Sequence, residues 1–326
     1  MSMRIGVATG VLGALVGLIA LRVWSAETLQ PFAGQFQDIF TLSISLLIES
    51  LPFIVLGISL SIVVQVFVPA SWLVSWLPKN AFGRRAIVSL FGMFLPVCEC
   101  GNVPLARGLM GRGYSVGDSV TFLLAAPIVN PVTIITTHQA FGFDDGILVA
   151  RLLAGYAIAN MLGWLLSLHP QPEKLLTTKF QKECRVPVAA ETTTRMERVG
   201  SMFVRESTAL MPALIVGAFI AGSIQVGVSR EVLITLGTDP IVSVLAMLAL
   251  AFVISVCANV DAFFILPFAQ TFLPGSIVAF LVFGPLIDIK MVALLRTTYT
   301  GRAIGLMALI VGIATLALGM VMNSVG

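Results

Sequence analysis

Cys98 and Cys100 flank Glu99 in the stretch FLPVCECGNVPLARG, Phe94 to Gly108, and Asn102 follows at once. A related stretch, CANVDAF, carries Cys257, Asn259 and Asp261. Thiolates select Cu(I), Zn(II) and similar soft ions, so Cys98, Cys100 and Cys257 are candidate ligands for a thiophilic solute or metal ion. Glu99, Asp261 and Asp288 are ionisable groups in apolar surroundings, where charge is expensive, and are candidates for proton coupling or cation binding. Asn102, Asn259 and Asn130 are neutral polar groups that can touch a solute or satisfy freed backbone. Each assignment has a plainer alternative. A lone buried cysteine commonly acts as a small hydrophobe, and each carboxylate can belong to a permanent ion pair, with Arg107, Arg151, Arg205 and Lys290 as the available partners. Lys290 follows Asp288 by two residues, a spacing that does not share a helix face. Glu49 and Glu206 occupy matching places near the starts of their helices, where interfacial capping competes with function.

The elements that must hold these residues are membrane helices. Of 326 residues 58% are hydrophobic and 11% charged, far from the quarter or so that soluble domains carry. The apolar runs do not alternate as barrel strands would. A net charge of +3 is too small to point to nucleic acid, and the basic residues sit between apolar segments, where they set orientation. Four cysteines in a chain this long define no disulfide framework. Arg4 before the apolar run Ile5 to Leu21 reads as an uncleaved first helix, because Trp24 spoils the small-residue pattern of a cleavage site.

Phe36 to Val68 and Gly146 to Leu168 are long enough to span, whereas the pattern between them is interrupted. Ala86 to Val97 reaches only about 18 Å, half a membrane. It stops at CECGN and resumes as a short piece, Val103 to Met110. Val116 to Thr137 contains APIVNP, in which Pro127 and Pro131 each remove a backbone donor and kink or break a helix. His169 to Arg198 holds much of the charge and three prolines, and reads as a poorly ordered connector.

The second half repeats the first. ESLPFIVLG (Glu49 to Gly57) resembles ESTALMPALIVG (Glu206 to Gly217), CGNV resembles CANV, and FLLAAPIVNP resembles FLVFGPLIDI, pairing Pro127 with Pro285 and Asn130 with Asp288. The three matches keep one order and one offset of about 160 residues. The expected organisation is a first helix and link over 1–35, repeat A over 36–168, a charged cytoplasmic connector over 169–198 and repeat B over 199–326. The positive-inside rule puts the N-terminus, Lys79, Arg84, Arg85 and the connector in the cytoplasm, and Glu27, Asp38, Asp144 and Asp145 outside. Three crossings and one hairpin per repeat make the copies inverted. The fold class is thus an all-α integral membrane protein with two inverted repeats, broken re-entrant helices and about seven to eight transmembrane helices.

Inverted repeats with interrupted helices are the architecture of secondary transporters, which bind substrate near the midplane where unwound segments meet. In this reading CECGN is the tip of one re-entrant hairpin and CANVDAF of the other. The function expected from these residues is a membrane permease for a thiophilic solute, with no enzyme activity and no cofactor. Its partners are the bilayer, the solute and a membrane or periplasmic protein. The alternatives are an intramembrane thiol redox protein and a membrane subunit of a partner complex. GLMGRG follows no strand and is read as a turn, Cys184 as an incidental thiol, and His138 and His169 as solvated.

PVCECGNVPLARGLMGRG followed by VTFLLAAPIVNPVT resembles the predicted permease family that includes YraQ-type and YcgR-type proteins and the ArsP organoarsenical exporters. The similarity runs from about Phe36 to the C-terminus. It implies a bacterial inner membrane and export, as efflux of trivalent organoarsenicals or of copper and zinc, with Cys98, Cys100 and Cys257 as binding residues.

Overall fold

The computed structural model describes residues 34–67, 78, 80–95, 97–143, 146–185, 194–227 and 239–325. The expected first helix, together with Glu27, Lys79, Asp144 and Asp145, lies outside the described residues. Among the described residues the secondary structure is helical apart from one isolated bridge, Leu176 to Tyr299. Five helices are long and apolar enough to cross a membrane, or six if the bent pair Val116–Phe141 counts as one span.

The first, α1 (Gln35–Phe67), carries Pro52 in its interior and is followed by α2 (Ala81–Ser89), capped by Asn80 Oδ1 on the Phe82 N–H at 3.1 Å. A 3₁₀ turn over Leu90–Phe94 and an extended step at Leu95 and Cys98 lead into α3 (Glu99–Gly111). Then come α4 (Val116–Val129), α5 (Pro131–Phe141) and α6 (Ile147–Ser167). The connector contains α7 (Thr178–Arg185). The order is then renewed: α8 (Arg195–Gly227) with Pro212 inside, α9 (Pro240–Ile254), a turn, the five-residue α10 (Asp261–Ile265), α11 (Pro274–Leu286), α12 (Ile289–Leu295) and α13 (Gly301–Val325).

Three expectations need correction. CECGN is not a loop at a hairpin tip: Cys98 is the N-cap and Glu99 to Asn102 form the first turn of α3. A glutamate at a helix start is favoured by the positive end of the helix, so polarity here does not break the helix. Val116 to Thr137 is two helices meeting at Asn130 with a 40° bend, and the second runs on to Phe141. Pro127 is tolerated inside α4, while Pro131 starts α5, the one helical position where its missing N–H costs nothing. The connector is ordered over 169–185. Leu175, Leu176 and Phe180 are buried there, and Thr177 N–H and Thr300 N–H bond to Thr298 O and Leu175 O at 2.9 Å. Its charged residues masked an apolar anchor. The helix of the second half also starts at Arg195 rather than Val199.

All fourteen residues of α4 are buried, as are twelve of the thirteen in α11, so these two form the middle of the molecule. The long helices α1 and α8 pack on each other, with Phe40 and Phe219 edge to face at 5.5 Å, and leave Ile44, Leu56, Ile215 and Ile220 exposed as lipid would require. Glycine sets how close α1 and α3 come. A Cβ on Gly101 would stand 2.5 Å from Phe53 O and 2.6 Å from Val97 Cγ1, and one on Gly57 would strike the Gly101 carbonyl. Ser61 Oγ then donates to Pro104 O at 2.7 Å, fixing α3 against α1.

Candidate functional site

The first turn of α3 presents Glu99 and Cys100, with Cys98 just before it, and the ligand atoms of these three residues lie within 4.8 Å of one another. Pro104 has no N–H to return to the Cys100 carbonyl, so that oxygen loses its ordinary helical donor. On the other half, α9 ends at Ile254 because Ser255 takes a left-handed conformation, φ 52°, and the chain turns through Cys257 and Ala258. This turn reaches the first. Cys257 Sγ donates to Glu99 Oε2 at 3.5 Å, the Ala258 N–H donates to the same oxygen at 3.4 Å, and Cys98 makes side-chain contact with both Cys100 and Cys257. Three thiols and a carboxylate from two distant parts of the chain therefore share one buried place.

Glu99 has one more neighbour. Lys290, in the first turn of α12, puts Nζ 3.8 Å from Glu99 Oε1. Asp288 is the N-cap of α12, not an interior helical residue; its Oδ1 accepts from Met291 N–H at 2.6 Å. That position lets Asp288 and half-buried Glu49 of α1 both act electrostatically on Lys290. Several of these buried atoms have no hydrogen-bond partner: Glu99 Oε1, Lys290 Nζ, Asp288 Oδ2, and both the oxygen and nitrogen of Asn102. The Ser255 hydroxyl beside Asp288 gives its proton to Phe252 O at 3.2 Å instead. Unpaired buried polar atoms are costly and rare in folded proteins, and here Glu99, Asn102, Asp288 and Lys290 carry them, as do Arg151 and Arg205 at their Nε.

The other predicted residues have structural partners. Asp261 is gripped by the Arg151 fork at 2.9 and 2.6 Å, and Arg151 also donates to Thr137 Oγ1 at 2.8 Å and Ala258 O at 3.4 Å. For Asp261 the geometry is that of the permanent ion pair, with both carboxylate oxygens hydrogen-bonded, where Glu99 has only Oε2 bonded. Asn130 caps α5 through Val132 N–H at 2.9 Å and donates to Val97 O at 2.8 Å, satisfying the carbonyl freed by the step before Cys98. Gln225 does the same for Ile254 O at 2.7 Å. Asn259 accepts from Thr133 Oγ1 at 3.2 Å, across the halves.

From the sequence, Lys290 and Arg107 stand out only as available ion-pair partners. A lysine inside the apolar stretch FLVFGPLIDIKMVALL was the available signal. Arg107, near the end of α3, is a junction: Nε to Glu206 Oε2 at 2.8 Å, Nη2 to Glu183 Oε2 at 2.9 Å, Nη1 to Thr298 Oγ1 at 3.0 Å, and the guanidinium over the Phe180 ring at 4.4 Å. It joins the thiol-bearing helix to α8, to the connector and to the turn before α13.

For the redox alternative, access is the difficulty. Cys98 and Cys100 are 1% and 0% exposed, and both thiols are free. Exchange requires a reachable thiolate.

The model of a family described as predicted permease matches residues 35–324. YcgR of Bacillus subtilis (strain 168) is 33% identical over 287 residues, covering 87% of this chain and 96% of that protein. A Streptococcus mutans protein provisionally named a two-component membrane permease complex subunit is 31% identical over 267 residues, 80% of this chain and 87% of its own length. YraQ of Escherichia coli (strain K12) is 29% identical over 111 residues, about a third of each chain (34% and 32%). No solved structure matches the chain.

Proposed function

We propose, from the premise that this chain belongs to the predicted permease family, that it exports a thiophilic solute through a site built from Cys98, Cys100, Cys257 and Glu99. Multi-pass membrane permease is the level at which the family assigns it. The cargo class proposed is a trivalent organoarsenical or a soft ion such as copper or zinc. The observation that carries it is the meeting of three buried thiols with a carboxylate whose Oε1 lacks a hydrogen-bond partner. Sulfur ligands choose thiophilic cargo, and the unpaired oxygen supplies negative charge next to them. Asn102, buried with both polar atoms unpaired, is the neutral group best placed to complete the shell of a bound solute.

Alternating access would come from two inverted repeats, 36–168 and 199–326, in a bacterial inner membrane with a cytoplasmic N-terminus. The element order supports the repeat: a 33-residue helix containing proline opens each half, a broken helix follows, then a buried helix, a short helix capped by Asn130 or Asp288, and a closing span. Asp288 and Lys290, acting with Glu99, are the groups proposed to couple export to a cation or proton.

A partner subunit is a second reading, favoured by the name of the Streptococcus mutans relative and by the ordered connector docked at Arg107. The test of the main reading is uptake into everted vesicles of a panel of trivalent organoarsenicals, Cu(I) and Zn(II) by the full chain. Accumulation of one of them by the wild type, absent from empty vesicles, is expected. Uptake of none, with the protein folded and inserted, contradicts it.

A further inference from the structure

A cavity of about 740 Å³ lies away from the thiol site, between the segment that leaves α6 and the start of α13. His169, Lys174 and Arg302 line it, with Leu175 and Leu306 as apolar wall, and no carboxylate is among its lining residues; Glu173, next to Lys174 in sequence, is not one of them. A third cation stands beside it, after Lys174 and Arg302. Gly301 lines the cavity, and the Arg296 guanidinium lies against it, with Cζ 3.3 Å from where a Cβ would sit, so the absence of a side chain makes the room.

The place of the cavity relative to the bilayer follows from its neighbours. It sits at the last residues of one span, Ile147–Ser167, and the first of another, Gly301–Ser324. That is headgroup level. Exposed Trp164 on α6 and Leu168, which caps its end, border the same level, where tryptophan is enriched. From Arg302 a stripe runs down one face of α13 at helical spacing: Leu306, Leu309 and Ile313, the last two 60% and 59% exposed. A cationic mouth opening onto an exposed apolar track fits a molecule with an anionic head and a hydrocarbon tail.

We infer that this cavity binds the phosphate of an anionic phospholipid, with Lys174, Arg296 and Arg302 around the headgroup and one acyl chain along Leu306, Leu309 and Ile313. Basic pockets between spans attract acidic headgroups, each cation adding to the affinity. The chain beneath argues for a lipid over a soluble phosphate ester, which has nothing to lay on the track. The site does not depend on the nature of the transported solute.

The full chain is purified in detergent, stripped of lipid and incubated with phosphatidylglycerol, phosphatidylcholine or sn-glycerol 3-phosphate, and retained ligand is read by native mass spectrometry. Phosphatidylglycerol is expected to be retained over phosphatidylcholine, with sn-glycerol 3-phosphate failing to displace it. The pair Lys174→Gln with Arg302→Gln should lower its affinity roughly thirty-fold, while Lys174→Arg with Arg302→Lys keeps it. Equal retention of the two lipids, unchanged retention by the glutamine pair, or displacement by sn-glycerol 3-phosphate would each overturn the inference.

Discussion

Lys290 Nζ lies 3.8 Å from Glu99 Oε1, both side chains 1% exposed, on helices that come from opposite halves of the chain. The distance is long for a hydrogen bond and neither atom has one. An ammonium and a carboxylate that are buried together but not hydrogen-bonded to each other form a loosely held ion pair.

Removing one member leaves the other charge buried without its partner from the opposite half. Lys290→Met and Glu99→Gln should each destabilise the protein by about 3–5 kcal/mol, read as the shift of thermal unfolding in detergent. The double variant should recover roughly 1–3 kcal/mol of the summed loss. Strictly additive effects would mean that the two charges do not support each other.

Arg107 offers a graded test. Its bond to Glu206 is buried, whereas Glu183 is 18% exposed. Glu206→Gln should cost about 3 kcal/mol or more, and Glu183→Gln about 1 kcal/mol or less. Protease cleavage within the connector measures its release: the Glu183 variant should be cut faster while the rest of the molecule stays folded.

Gly101 is closed to larger side chains. With Phe53 O at 2.5 Å and Val97 Cγ1 at 2.6 Å from a Cβ, Gly101→Ala must push α3 away from α1. Overpacking of this kind costs about 1–3 kcal/mol. Because Cys100 and Asn102 flank it, any transport activity should fall further than stability does. Gly113→Ala would not clash, since nothing lies within 4 Å of a Cβ there, although its φ of 92° strains the backbone.

Cys184 gives the pH dependence. Burial pushes its thiol above the usual value, with Arg107 opposing and Glu183 reinforcing. Only the thiolate reacts with maleimide, so a raised pKa means less thiolate than a free cysteine has at pH 7 to 8, and labelling that climbs as pH rises through and beyond the ordinary thiol range. Labelling as fast as glutathione at pH 7 would contradict the docked position of α7.

The sequence announced the membrane class, the interrupted helices and the residues Cys98, Glu99, Cys100 and Cys257, because polar groups in a hydrocarbon setting stand out and the halves repeat their motifs. It offered Arg151 as one of four basic partners but not its match to Asp261, since the two are 110 positions apart and only folding brings them together. Asn130 was open to two roles in the sequence, solute contact or satisfying freed backbone, and its two bonds go to the backbone on either side of a break. Phe180 and Leu175 were hidden within a charged segment whose composition suggested disorder, whereas three buried apolar side chains suffice to dock it. Helix boundaries near Glu99 were misread for one reason: in a membrane a polar turn and a polar first turn of helix have the same composition.

Flux through everted vesicles decides whether thiols from both halves act as one site. Cys98→Ser, Cys100→Ser and Cys257→Ser are compared with wild type for the solute that the wild type accumulates. Serine keeps the volume and removes the soft ligand, so each variant should fold and insert normally and lose uptake by at least about tenfold. Wild-type uptake by Cys257→Ser, alongside loss in the other two, would contradict a site shared between the halves.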